Sequence, residues 1–343
     1  MIDFRYHLVS IVAVFLALAI GIVLGSTELQ GPVYNALHHA NSSLQSQLGN
    51  ANNQRQAAQQ EADAGDAFAQ AIETDYLHGK LAGQRLLIIT EPGAQTAVVN
   101  GVGTAARDAG ATVTGQINLQ TRFFDGSSAT AVALSQINTV LAQSDGIQLD
   151  SSSSSSPQQG AAKVLASEIL AKASTAGGIQ SASTTQTASA QTALGSYAQA
   201  NFLTTNGQPA TQATLAVIVT PQTVPADGSV DPLAQDLGPF AQALASVYTS
   251  PTVVAGSAAG SVPGSPIAEL RSTGVASQVS TVDDADTVRG QMVVIQALEI
   301  ALNGGTAGSY GVNAGDSYPN ITPSASASPS ASASSAPTKK PKK

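Results

Sequence analysis

The chain has 343 residues, no cysteine, no tryptophan and a formal charge of −8. Without cysteine there is no disulfide framework, no thiolate metal site and no thiol redox chemistry. The body is more acidic still, because four lysines fall within the last five residues, and this argues against nucleic acid or anionic lipid as the main partner.

The chain opens with MIDFRYHLVSIVAVFLALAIGIVLGS, in which residues 8–24 carry no charge and no proline. A helix rises about 1.5 Å per residue, so this run falls just short of a hydrocarbon core of about 30 Å. Phe4, Tyr6 and His7 before it, and Ser26 and Thr27 after it, suit the two interfaces. Residues 1–27 are therefore predicted to be a transmembrane anchor, with Leu8, Val12, Phe15, Leu16, Ile20 and Leu24 among its bilayer-facing side chains. A cleaved signal peptide is the alternative, but its apolar run is shorter, about 7–15 residues, and its start more basic. Arg5 precedes the span and the next cation is Arg55. That asymmetry predicts a single-pass protein of the cell membrane, N-terminus cytoplasmic and bulk extracytoplasmic.

Residues 28–82 read as a helical stalk. After Gly31-Pro32 there is no proline as far as Leu81, and a heptad seam can be traced. Leu37, Leu44, Ala51, Ala58, Gly65 and Ile72 fall on one position, and Leu48, Arg55, Ala62, Ala69 and Tyr76 on the other. The spacing fits a coiled coil, with Leu37, Leu44, Leu48, Ile72 and Tyr76 as its main seam residues. The seam is Ala-rich and holds Arg55 at a core position, so a weak homodimer is expected. A long polar helix packing on its own domain would share the pattern.

The period then changes. RLLIIT at 85–90, a turn at Glu91-Pro92-Gly93, a helix over 94–109 and a strand over 111–119 make a βαβ opening. Strands follow at 215–220, 251–255 and, as a possible edge, 275–282. Helices are predicted over 231–248, 266–272 and 285–303, the last capped by Asp283-Asp284. Residues 123–203 read as a helical insertion, with helices over 129–142, 161–173 and 192–203 separated by Ser-rich linkers. The fold class is α/β: a transmembrane helix, a coiled-coil stalk and a doubly wound, mostly parallel α/β domain over 83–311 with this insertion. Residues 312–343 form a Ser/Ala/Pro tail too poor in apolar surface to fold.

Chemistry-bearing patterns are few. The four histidines, His7, His38, His39 and His78, all precede the first strand, so a Ser-His-Asp constellation in the α/β domain is not expected. There is no phosphate-binding or dinucleotide fingerprint; Gly101-Val102-Gly103 lies within a helix. Glu91 and Asp283-Asp284 stand at strand ends, where turn chemistry and capping account for them. No catalytic and no cofactor-binding residue is assigned. His38, His39 and His78 are weak metal candidates, and the only soft donors are Met1 and Met292.

The opening segment, with Arg5, His7, Ser10, the aliphatic run and the Gly21…Gly25 pair in order, resembles the mycobacterial copper transport protein B family of actinobacteria. The stalk, the α/β body and the closing helix before residues 304–311 extend the resemblance over residues 1–311. It implies an envelope protein that limits copper accumulation, as a homeostasis or efflux component; copper as a ligand rests on this resemblance alone. Corynebacterial relatives look like coiled-coil membrane proteins that act with a partner in cell division. The resemblance thus also admits a dimeric scaffold or regulator that works with an envelope or membrane partner in division or envelope remodelling.

Overall fold

The computed structural model describes residues 4–149, 156–171, 184–222, 232–247, 250–314 and 318–319. Most of the Ser run after Asp150, the first part of the Ser/Thr linker and nearly all of the tail lie outside the described residues. Two compact units are present, residues 1–68 and 69–343.

The first unit is built from helix α1, which as an element runs Phe4–Leu77. Its described side chains are almost all exposed, and the apolar ones include every predicted anchor residue and Leu37, Leu44 and Leu48.

The second unit is organised by a sheet in the order β3-β2-β1-β4-β5-β6-β7. The strands are β1 (Arg85–Thr90), β2 (Thr112–Leu119), β3 (Leu203–Gly207), β4 (Leu215–Val219), β5 (Thr252–Ala255), β6 (Ser280–Val282) and β7 (Ser309–Tyr310). All neighbours pair in parallel except β3, which runs antiparallel to β2. Helices cover both faces, which is why β1 and β4 are apolar at consecutive positions. Leu87, Ile89, Ile117, Ala216, Ile218 and Val254 face one core with α3 (Ser128–Asp145), α4 (Pro157–Ile169), α5 (Thr184–Gln199), α6 (Pro232–Ser246) and α7 (Pro266–Ser272). Leu86, Ile88, Val217, Val219 and Val253 face the other, with α2 (Thr96–Asp108), α8 (Val288–Leu302) and the end of α1.

The region over 123–203 packs directly on the sheet. Phe123 is the hub, edge-on to Phe124, Phe202 and Phe240 with ring centroids 5.1, 6.4 and 5.7 Å away. Asn138 ties three helices together: its Nδ2 donates to the Pro157 carbonyl at 2.7 Å, and its Oδ1 accepts from the Tyr197 hydroxyl at 2.7 Å. Burial pushes the Tyr197 hydroxyl far above its ordinary pKa, so it donates throughout the accessible pH range. Tyr197→Phe leaves Asn138 Oδ1 buried without this donor. It is expected to cost about 1–3 kcal/mol, read as a lower denaturant midpoint at unchanged slope.

Three differences from the sequence reading stand out. The predicted helix over 192–203 starts earlier and ends at Gln199, because Asn201 adopts a left-handed conformation (φ 57°) and Phe202 N bonds back to the Tyr197 carbonyl. Leu203 then opens strand β3. The stretch 275–282 holds a 3-10 turn (Gly274–Ser277) before the short strand β6, and β6 is internal because β7 pairs beyond it.

Candidate functional site

The apolar N-terminal helix is the plainest candidate element. Arg5–Gly25 is long and apolar enough to cross a bilayer, and none of it is buried within the protein. Leu8, Val12, Phe15, Leu16, Ile20 and Leu24 are all more than half exposed, as side chains that meet lipid must be.

The seam residues divide between the two units. Leu37, Leu44 and Leu48 in the first are 58–66% exposed. Ala69 and Tyr76 are taken up by the second, where the Tyr76 hydroxyl donates to Gln296 Oε1 at 2.8 Å. Burial, then the nearby Glu299 carboxylate, raises the Tyr76 pKa. Lys80 Nζ bonds Glu299 Oε2 at 2.8 Å and lies 4.7 Å from the Tyr76 ring centroid. The end of α1 is thereby locked to α8.

The histidines form no cluster. His38 packs edge-on against Tyr34 at 4.2 Å within α1, His39 is its neighbour in sequence, and His78 is exposed in the turn after α1. Among the described residues no three of His, Cys, Asp and Glu stand together as metal ligands. Met292 is buried in the α2–α8 core.

The carboxyl ends of the parallel strands, where ligand crevices of α/β sheets form, hold three buried carboxylates among the described residues, Glu91, Asp283 and Asp284. Glu91 follows β1, is buried, and donates its backbone N–H to the Val219 carbonyl at 3.0 Å. The turn after it closes this switch point: Ala94 bridges to Pro221 across it.

Asp283 and Asp284 follow β6, and both are buried. Arg271 on α7 grips Asp283 Oδ2 through Nη1 at 2.6 Å, Thr281 Oγ1 through Nε at 2.9 Å and the Tyr310 carbonyl through Nη2 at 2.8 Å. Asp283 also accepts the backbone N–H groups of Val312 (2.6 Å) and Asn313 (3.1 Å). A Cβ at Gly311, whose φ is +123°, would collide with Asp283 Oδ1, so only glycine lets the chain pass this closely. Asp284 Oδ2 accepts from Arg289 Nε at 3.2 Å and from the Tyr318 hydroxyl at 2.9 Å. These two residues were read from sequence as a helix cap. In the structure the side-chain cap of α8 is Thr287, which accepts from Gly290 N at 3.0 Å, and the aspartates instead fasten the chain that follows β7. Sequence spacing gives Arg271 no visible role, since its partners come from separate segments.

Comparison with known proteins adds what the geometry leaves open. A family model described as "Copper transport outer membrane protein, MctB" matches residues 1–320. Curated proteins named copper transporter MctB from Mycobacterium tuberculosis and Mycobacterium bovis are each 30% identical over 319 residues, 92% of this chain and 98% of the relative. One of the same name from Mycobacterium leprae is 29% identical over 317 residues, with the same shares covered.

Proposed function

This chain belongs to the MctB family of copper transport outer membrane proteins, and from that premise we propose that it is a membrane-anchored, non-enzymatic component of copper handling in the cell envelope. The observation that carries the reading is the extent of the match, which takes in anchor, helix and α/β unit together. The anchor is placed with Arg5 on the cytoplasmic side and the α/β unit outside, following the cationic asymmetry. One helix encloses no pore, so movement of copper runs through an assembly. Leu37, Leu44 and Leu48, apolar and exposed at heptad spacing, support a weak parallel or antiparallel homodimer as its first step. A partner protein in the envelope is part of the same reading.

The test pairs a cellular and a physical measurement. Cells lacking the protein are expected to hold more copper than wild-type cells, measured as metal per cell mass, and the intact gene restores the lower level. Leu44→Glu with Leu48→Glu is expected to abolish a concentration-dependent dimer in sedimentation of the detergent-extracted protein and to fail in that restoration. Unchanged cellular copper on deletion would overturn the copper reading. A wild-type protein that stays monomeric at high concentration would overturn the dimer.

A further inference from the structure

On the α3–α7 face, four helices border a polar cavity of about 590 Å³ whose lining includes Asp145, Lys163, Glu168, Ser189, Gln212 and Ser246. Its charge is lopsided. Asp145 is the last residue of α3, Glu168 lies in the last turn of α4 and Ser246 is the last residue of α6. Three helix C-termini therefore converge there, each carrying about half a negative charge. Two carboxylates add to them, against Lys163 and the first turn of α5.

Glu168 is the residue that asks for an explanation. It is 6% exposed and lines the cavity, and no described residue gives its carboxylate a hydrogen bond or an ion pair. Desolvation, and then the like charge of Asp145, raise its pKa. A carboxylate this enclosed is costly to keep ionised unless a cation compensates it; without one it is relieved by taking up a proton. Asp145 is held towards the same space by the Ser189 hydroxyl, which donates to its Oδ1 at 3.3 Å.

We propose that this cavity binds a hard divalent cation of the Ca²⁺ class through the Asp145 and Glu168 carboxylates, with the neutral oxygens of Ser189 and Gln212 and retained water completing its shell. Apart from Lys163, which repels a cation, the lining offers oxygen and amide groups without sulfur or imidazole. Such donors select Ca²⁺ and Mg²⁺ and reject Cu(I). The cavity is large enough for an ion that keeps part of its hydration. This site is therefore separate from copper handling and stands or falls without it.

The experiment uses the full-length protein in detergent, stripped with chelator and titrated with CaCl2 or MgCl2 by calorimetry, with the thermal unfolding midpoint followed in parallel. Wild type is expected to take up one ion per chain and to unfold at a higher temperature with it. Glu168→Gln and Asp145→Asn are each expected to weaken uptake about tenfold or more. In chelator, Glu168→Gln unfolds no earlier than wild type, because it removes an uncompensated buried charge. Asp236→Asn, on α6 outside the cavity lining, leaves the titration unchanged. The proposal is overturned if wild type shows no saturable uptake of either ion, or if uptake survives in the Asp145→Asn/Glu168→Gln double variant.

Discussion

Replacing Val12 and Leu16 together by arginine is expected to release the protein from the membrane. The two lie one helical turn apart near the middle of Arg5–Gly25, and both are exposed. Each arginine near the centre of a span disfavours insertion by about 2.5–3.5 kcal/mol, so the pair disfavours it by about 5–7 kcal/mol. An apolar run this close to the minimum length has no spare turns with which to shift the charges to an interface. No residue of this segment is in the buried core of the α/β unit, so that unit should remain folded. After alkaline washing, wild type should stay with the membrane pellet and the double variant should appear in the supernatant. A variant that stays in the pellet would show that something other than the span holds the protein there.

Asp283→Ala is expected to be the most damaging single change in the α/β unit, at about 3–5 kcal/mol. The ion pair with Arg271 is fully buried on the Asp283 side and largely so on the other. Removing the carboxylate leaves a guanidinium with only Thr281 and the Tyr310 carbonyl, and strips the acceptor from the Val312 and Asn313 N–H groups. Two effects should therefore appear together: a large drop in unfolding midpoint, and faster hydrogen exchange confined at first to the chain around Ser309–Tyr310 and the residues after it. Replacing Arg271 and Asp283 together by apolar residues of similar volume should cost less than Asp283→Ala alone, since no charge is then left buried. Equal losses in the single and double variants would mean that the backbone contacts, and not the ion pair, fasten this segment.

What could be read in advance depended on how local the signal was. RLLIIT was bounded by a turn and is β1 at those bounds. The apolar helix over Arg5–Gly25 was legible because it is marked by composition and length alone. Strand β3 was not, because LTTNG has no apolar alternation and only its partner β2 makes it a strand. β7 is two residues long and defined wholly by β6. The heptad seam shows a different limit. Spacing marks a position as apolar without saying what covers it, so Leu44 and Tyr76 looked alike. Yet Tyr76 meets Gln296, 220 residues away, while Leu44 is exposed. The Arg271–Asp283 clamp and the Asp145–Glu168 cavity were invisible for the same reason: each joins residues from separate elements, and no pattern of spacing encodes that meeting.

The strand order bears on how the molecule is made. β1 sits beside β4, and the first bond between them, from Arg85 N to Thr214 Oγ1, spans 129 residues. The end of α1 waits longer still, for α8. At a synthesis rate of about 5–20 residues per second, the 220 residues between Tyr76 and Gln296 take roughly 10–40 s to emerge. Until β3 and β4 have emerged, β1 and β2 form at most a small parallel pair with both edges and much of both faces open, and contacts of such long range form slowly even once the chain is complete. The nascent protein therefore spends tens of seconds with strongly apolar strands uncovered. A holding chaperone is expected to shield it during that interval, and a chain cut short before α8 would present proteases with an unfinished sheet.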